Sequence, residues 1–520
     1  MSSAIQEDYE LEKVTFPRKE KRGIVLGLDL MPLIAVGLIV LCIVIATIAV
    51  PFPYGALLGV ALLPVAGVLG WGRFRHRHLF EWAALGLGHV RRMVGGQNQY
   101  RAPSPRADAA AENKALEKAE KADEKAAAEA EEWDEPIPAK TPKPIHMRLP
   151  GEANELKVYD TPSGMGIVHD PRRRRIILTA RMKSKNFTLQ DDSVQAEILD
   201  RWANLMDVMG AHPEVRGLYP SDVTTVVTSS QMQSFYERAA RENNAGAALN
   251  PVAHAGYLEL LSQNVMTHHP QYLTVDLAIP ALREEIKASG SGMTGLLAVA
   301  DRHAGALETD LKDNGWEVDY WVTTEQRMEM LHTTFSPDDM QEDVQAHGKG
   351  GPVGARRYWD KMRCDNAWHR SFVIDEWPLK PVRPGFLEKL ILDLEFRHTL
   401  TLLIKRGNDE QALRRISNDI KDAETAEGIT ERAGRRVSRE MLRERADMEA
   451  REEELVAGAS DISFRGFVTV TADTPDELDQ FTRQLKSAAA RASVRLEVCY
   501  GQQFEGFLAG AGQLGFGDSR

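Results

Sequence analysis

A long run without charged side chains is the feature that most constrains this chain. No Asp, Glu, Lys or Arg occurs between Leu30 and Gly72. At about 1.5 Å per residue, one bilayer crossing takes roughly 20 residues, so the run is long enough for two. Pro51 and Pro53 interrupt it, and two prolines so close together end a helix. The sequence therefore predicts a two-helix transmembrane hairpin over residues 30–72.

Both flanks of this run are basic. The flanking residues are Arg18, Lys19, Lys21 and Arg22 before it, and Arg73, Arg75, Arg77, Arg91 and Arg92 after it. The positive-inside rule then places both termini in the cytoplasm and predicts a multi-pass protein of the cell inner (cytoplasmic) membrane. Two interpretations stay open for the segment from Leu79 to Val94. It could lie in the membrane interface and bind lipid, or it could pack on the rest of the protein.

The net charge of −12 gives no general attraction for nucleic acid, so no direct sequence-specific nucleic-acid binding is expected. Cys42, Cys364 and Cys499 are far apart in the sequence and suggest neither a disulfide framework nor a zinc cluster.

Shifts in composition divide the chain into seven segments. We predict a cytoplasmic N-terminal segment (1–29), the transmembrane helical hairpin (30–72), a basic juxtamembrane segment (73–106), an Ala/Glu/Lys- and Pro-rich linker (107–150), a cytoplasmic α+β domain (151–405), long charged helices (406–460) and a C-terminal β-α-β unit (461–520).

The fold class predicted after the hairpin is a mixed α+β region with ferredoxin-like β-α-β elements and a long charged helical pair. Strands are predicted at 175–181, 223–228, 273–279, 317–322, 371–374, 399–404, 467–471 and 495–499. Helices are predicted at 192–208, 232–243, 252–267, 295–313, 384–396 and 478–490, and as a pair over 410–456. We detect no fixed-period repeat.

Four short motifs resemble segments that bind ligands or metals in other proteins. Each of them lacks a second feature that such a site requires. Gly290 to Gly295 reads G-x-G-x-x-G, but a charged segment separates it from the preceding strand, which favours a loop. Ser371 to Glu376 resembles a Walker-B strand, yet no phosphate-binding loop accompanies it; Gly348-Lys349-Gly350 is the nearest fragment.

The adjacent His268 and His269 point to opposite faces of an extended segment and are unsuited to sharing one metal. Arg172 to Arg175 follow a turn signal, which favours a solvated hairpin tip over an anion site. We therefore predict no catalytic, cofactor-binding or metal-ligating residues, no cofactor and no enzymatic activity.

Several short motifs, taken in order, resemble one family. They are Phe16-Pro17-Arg18, Arg22-Gly23, Leu26-Gly27-Leu28, His369-Arg370-Ser371-Phe372, Asp375-Glu376-Trp377-Pro378, Glu452-Glu453-Glu454-Leu455 with Gly458, Arg465-Gly466-Phe467-Val468-Thr469-Val470, Gly501-Gln502-Gln503 and Phe507. The chain is similar to actinobacterial PrgI-like or EccE-like membrane proteins of conjugative type IV or type VII secretion clusters. Its soluble part resembles the N-terminal half of type IV secretion ATPases, without the RecA-like motor that follows there.

The resemblance implies a non-catalytic inner-membrane structural subunit of a type IV-like conjugation or secretion apparatus. Such a subunit would anchor and position a separate cytosolic ATPase in an oligomeric assembly, with the lipid bilayer and other membrane subunits as further partners. Two alternatives stay open: an EccE-like subunit of a type VII secretion membrane complex, and a membrane-tethered enzyme with a dispersed active site.

Overall fold

The structure is a computed structural model. It describes residues 72–74, 77–104, 142–183, 189–227, 250–263, 266–337, 350–378, 380–407, 409–432, 439–457 and 461–517, with scattered residues outside these ranges.

None of the helices in these ranges combines the length and the apolar character needed to span a bilayer. This finding overturns the predicted two-helix transmembrane hairpin, and with it the assignment to the inner membrane as a multi-pass protein. Nearly all of residues 30–72 lie outside the described residues. The helix that follows them, α1 (Leu79–Val94), has 16 residues and carries Glu81, Arg91 and Arg92. An uncharged run permits a spanning helix without requiring one, and a charged helix of about 24 Å is too short to cross.

The described residues form two sheets. The strands are β1 (Arg73–Phe74), β2 (Arg77–His78), β3 (Gln99–Arg101), β4 (Ile145–His146), β5 (Lys157–Asp160), β6 (Gly166–Asp170), β7 (Arg175–Met182), β8 (Val215–Val227), β9 (Met266–His268), β10 (Gln271–Ala278), β11 (Val318–Trp321), β12 (Gly354–Arg357), β13 (Met362–Cys364), β14 (Ala367–Glu376), β15 (His398–Arg406), β16 (Ile462–Ala472) and β17 (Arg495–Val498). Strands β1 and β2 pair with each other, and the other 15 form one large sheet. All the strand pairs found in the described residues are antiparallel.

The remaining helices connect or cover these strands. They are α2 (Asp192–Ala211), α3 (Pro251–Gln263), α4 (Arg283–Ala288), α5 (Gly292–Asp313), α6 (Thr324–Phe335), α7 (Glu388–Ile391), α8 (Asp409–Arg432), α9 (Arg439–Val456), α10 (Pro475–Arg491) and α11 (Gln503–Gly510), with a 3-10 helix at Gly151–Glu155.

The large sheet contains the same arrangement twice. The first unit consists, in chain order, of β7, α2, β8, β10, α5 and β11, with α3, β9 and α4 inserted, and its strands lie side by side in the order β11-β7-β10-β8. The second unit consists of β14, α7, β15, β16, α10 and β17, with α8 and α9 inserted, and its strands have the order β17-β14-β16-β15. Both are ferredoxin-like β-α-β-β-α-β units. They join through the antiparallel pairing of β8 with β15, in which Ser221 lies opposite Thr401.

One face of this sheet, the helix face, carries α2, α5 and α10. Leu400 and Ile404 project from the same side of β15 because side chains alternate along a strand. Leu400 packs in the core under α10, and Ile404 packs against the core under α2 and α5. The two helical layers therefore share one face of the sheet.

The opposite face is covered by α6 and by residues 503–517, which we call the strap. Tyr219 of β8, Leu403 of β15 and Phe467 of β16 form its core with Phe507 and Leu514 of the strap. We call this side the strap face. The second unit thus carries the short helix α7 beside α10 on the helix face, and the strap covers its opposite face.

Helix α1 packs on this body. The ring of Trp82 lies 5.2 Å from that of Tyr500 and 6.3 Å from that of Trp359. Arg92 Nη2 donates a 2.8 Å hydrogen bond to the carbonyl oxygen of Gly501. Of the two interpretations left open for this segment, the structure shows the one in which it packs on the rest of the protein.

Candidate functional site

The Walker-B-like segment 371–376 lies in β14, between β16 on one side and β13 and β17 on the other. Its two acidic side chains are engaged by one arginine. Arg495 Nη2 lies 2.6 Å from Asp375 Oδ2, and Arg495 also contacts Glu376. The acidic pair therefore holds β14 to β17 in an antiparallel sheet. Of the nearby Gly348 to Gly350 fragment, only Gly350 is described.

The glycine motif at 290–295 begins in the short turn between α4 and α5, and its residues from Gly292 onward form the first turn of α5. Gly290, Ser291 and Gly292 all have positive φ, at 106°, 60° and 57°. A Cβ at Gly295 would clash with the carbonyl oxygen of Ile286. These glycines therefore permit a tight helix-to-helix turn, and the strand that precedes a dinucleotide-binding loop is not adjacent.

The histidine pair separates as expected, because His268 is exposed and His269 turns inward. His269 Nδ1 lies 3.1 Å from Thr224 Oγ1 and 3.5 Å from Asp222 Oδ1. Its Nε2 lies 3.1 Å from Thr267 Oγ1. Burial raises the pKa of Asp222, whereas the hydrogen bond from Gln271 and the nearby His269 act to lower it. The ring of His269 therefore links strand β8 to β9. In the part of the chain that the structure describes, no three His, Cys, Asp or Glu side chains are arranged to hold a metal ion.

Arg172 to Arg174 lie in the turn between β6 and β7, and Arg175 is the first residue of β7. These arginines differ in how deeply they are buried. Arg172 pairs with Glu155 at the surface, whereas Arg175 is almost completely buried. Arg175 Nη1 lies 2.6 Å from Asp276 Oδ2, and its Nε donates a 3.1 Å hydrogen bond to Asp170 Oδ2. The predicted hairpin tip is therefore present, but its last arginine belongs to the core.

The feature with the clearest capacity for binding is the pair α8–α9, which we call the arm. It is inserted between the neighbouring strands β15 and β16, and α8 alone is about 36 Å long. Its two helices carry fourteen acidic and eight basic side chains. The arm's own core is small in its described part, where Ile420, Ala423 and Met448 are buried together with Ile416 packed against them.

One basic side chain of α9 joins the two helices of the arm. Arg445 lies 3.1 Å from Glu427 Oε2, 3.2 Å from Glu424 Oε1 and 2.7 Å from Glu449 Oε1. These charge-assisted hydrogen bonds raise the pKa of Arg445, with Glu449 the largest contributor. The helices are therefore held together by exposed charge as well as by their few apolar contacts.

The arm is fixed at its base by one aspartate. Arg451 Nη2 of α9 lies 2.8 Å from Asp461 Oδ1, and Arg415 Nη2 of α8 lies 4.0 Å from Asp461 Oδ2. The backbone of the same residue accepts a 2.6 Å hydrogen bond from the N–H of Gly407. Both helices are thus tied to the point where the chain re-enters the sheet.

The strap is the region that the sequence did not point to. Nearly every described residue in 503–517 is buried, and donors on the sheet and on α6 bond its backbone carbonyls. Thr401 Oγ1 donates to Gly510 O at 2.8 Å, Arg327 Nη1 to Gln513 O at 3.1 Å, and Arg175 to Gly515 O. The available signal is the spacing of five glycines among apolar residues, because a Cβ at Gly510 or Gly517 would crowd the sheet beneath.

No protein-family model matches this chain, and no curated protein matches its sequence.

Proposed function

We propose that this protein is a non-catalytic structural subunit of a type IV-like conjugation or secretion apparatus, where it docks and positions a separate ATPase. The family resemblance of its motifs supports the apparatus. The observation that carries the docking role is the arm, a charged helical pair tied to a broad sheet. We expect several copies to assemble with other subunits of the apparatus.

The arm suits a partner with a basic face. Its acidic excess attracts positive charge over a distance of about one Debye length, which speeds encounter and selects orientation. Leu442 and Val456 add exposed apolar surface on α9, with 51% and 72% of each residue accessible. Partly apolar contact within a charged rim is the usual composition of a protein–protein interface.

A subunit of this kind needs its motor from another chain. In a nucleotide-hydrolysing site, the acidic residue after the apolar strand is available to a magnesium ion. Here Asp375 and Glu376 are both engaged by Arg495. This engagement favours a structural role for the strand.

The test is affinity purification of the tagged full chain from its native host, with the bound proteins identified by mass spectrometry. We expect an ATPase with a RecA-like motor to co-purify and to give ATP hydrolysis in the eluate. The arm variant Asp422→Lys/Asp447→Lys/Glu453→Lys should lose the ATPase. The control Asp200→Lys/Asp207→Lys/Asp313→Lys changes the same number of exposed acids on α2 and α5, and should retain it.

Each outcome separates the alternatives. An ATPase retained equally by both variants removes the arm from the interface. Recovery of the chain alone, or turnover by the purified chain without any partner, contradicts the proposal. Partners of the type VII class in place of type IV components would assign the chain to the EccE-like alternative.

A further inference from the structure

Arg327 of α6 is a buried arginine on the strap face with unsatisfied hydrogen-bond donors. Helix α6 begins with a capping box, in which Thr323 accepts from the backbone N–H of Gln326. This start places Arg327 on the side of the helix that faces the strap, where its exposure is 0%. Nη1 donates to the carbonyl oxygen of Gln513, at 3.1 Å. Neither Nε nor Nη2 has a hydrogen-bond partner among the residues that the structure describes.

Arg327 also lacks a balancing charge. Four arginines are buried in the described part of the chain: Arg175, Arg327, Arg357 and Arg370. The other three pair with carboxylates, which are Asp170 and Asp276 for Arg175, Glu505 for Arg357, and Asp360 and Asp479 for Arg370. No carboxylate among the described residues forms an ion pair with Arg327.

Burial does not remove this charge. Desolvation lowers the pKa of Arg327 to about 10, and the nearby Tyr272 opposes the change. A group with that pKa is still protonated at neutral pH. A buried charge with unsatisfied donors is unfavourable unless an anion or other acceptors approach it.

The two unpartnered atoms have a useful geometry. Nε and Nη2 lie on the same edge of the planar guanidinium, and this edge engages two oxygens of one oxyanion through parallel hydrogen bonds. The remaining atom, Nη1, is committed to Gln513 of the strap. Gln513 itself adopts a φ of 43°, which is uncommon for a residue other than glycine. One guanidinium therefore carries both the unpartnered Nε–Nη2 edge and the hydrogen bond to the strained strap residue Gln513.

We propose that Arg327 anchors a binding site for a small oxyanion of the phosphate class, closed by the strap. The anion binds the Nε–Nη2 edge and supplies the missing negative charge, while Nη1 keeps its bond to Gln513. Access requires the strap to lift around this residue. Binding therefore stabilises both the folded protein and the closed position of the strap.

The test is direct binding and thermal unfolding of the full chain with inorganic phosphate, at constant ionic strength against chloride. We expect one phosphate per chain by equilibrium dialysis. The melting temperature should rise by several degrees at about a hundredfold excess over Kd. ADP as a competitor separates a free phosphate from a phosphate group carried by a larger molecule, because only the latter site is emptied by it.

Arg327→Met should abolish this binding and the phosphate-dependent rise. In chloride, its melting temperature should equal or exceed that of the wild type, because an unbalanced buried charge has been removed. Arg414→Met, at an exposed position of the arm, controls for general salt effects and should keep the full rise. Arg327→Lys provides a second variant that retains the charge without the planar fork, and it should also lose the phosphate binding.

Three results would overturn the proposal. The first is no phosphate bound to the wild type, which needs no variant. The second is an equal phosphate effect in the wild type and in Arg327→Met. The third is an adventitious ion only, seen as binding that survives in Arg327→Lys and is lost in Arg414→Met.

Discussion

Beneath the strap, Arg175 keeps only 2% of its side chain exposed and binds two aspartates, whereas Arg445 on the arm is 32% exposed among three glutamates. A guanidinium group thus makes several ion pairs at both places, in the protein interior for Arg175 and at the solvent-exposed surface for Arg445. In the buried site each charge depends on its partner, because water cannot replace a lost one. On the arm, water and salt replace a lost partner readily. The ion pairs of Arg175 in the strap face therefore contribute more to the free energy of unfolding than those of Arg445. On the arm, the charged side chains can exchange one another for water and salt.

The sharpest way to break this comparison is Arg175→Met. This change leaves Asp276 buried without its ion-pair partner and Asp170 with Arg173 alone, and the strap loses the donor at Gly515. We expect the free energy of unfolding to fall by about 3–5 kcal/mol. Chemical denaturation followed by circular dichroism measures it, and a loss below about 1 kcal/mol would contradict the reasoning.

A pH titration gives the next largest effect. His369 is fully buried, and burial lowers its pKa to about 4, against an opposing hydrogen bond to Phe335 O. Its Nδ1 lies 2.9 Å from Thr471 Oγ1, so the neutral ring has a partner on each nitrogen. The unfolded ring binds a proton near pH 6.5, well before the folded one, so protonation favours unfolding.

The contribution of His369 is therefore complete above pH 6.5 and is lost as the pH falls toward 4. We expect a decrease of roughly 3 kcal/mol in the free energy of unfolding from this group across that window. The comparison is the slope of stability against pH for the wild type and for His369→Gln, which should be flatter. Equal slopes would show that the ring does not titrate as described.

The smallest effect belongs to Arg445→Ala on the arm. Its ion pairs are reachable by solvent, so we expect the melting temperature to fall by no more than about 2 °C. The difference should vanish in high salt, because screening already weakens these pairs in the wild type. A fall comparable with that of Arg175→Met would place the arm in the stable core and erase the contrast.

The sequence predicted the regular elements well where one face of an element is apolar. The predicted strands 399–404 and 467–471 lie within β15 and β16, and the charged stretch 410–456 forms α8 and α9.

The predicted helix 384–396 is reduced to α7, because prolines and turns surround it. The predicted helix 252–267 ends early, and residues 266–268 form β9. The predicted helix 232–243 lies mostly outside the described residues.

Long-range relations were not accessible from the sequence. The duplicated ferredoxin-like unit has no sequence period, because the sheet order depends on pairing rather than on matching residues. Arg175 looks like part of a surface turn, and only the folding of β7 against β10 brings Asp276 to it. The membrane prediction was wrong because a long uncharged run between basic flanks permits a spanning helix without requiring one. The binding role of the arm, and the apparatus to which the protein belongs, stay predictions.

The position of the strap in the chain has a consequence for biosynthesis. It follows every strand that it covers, so the ribosome releases β7 before the strap exists. At typical rates of synthesis this interval is roughly 15–65 s. During that time the part of the apolar strap face already synthesised, Tyr219 first and Leu403 and Phe467 later, is open to chaperones and to neighbouring nascent chains. Completion of the fold is thus a late event, decided by a glycine-rich segment of fifteen residues.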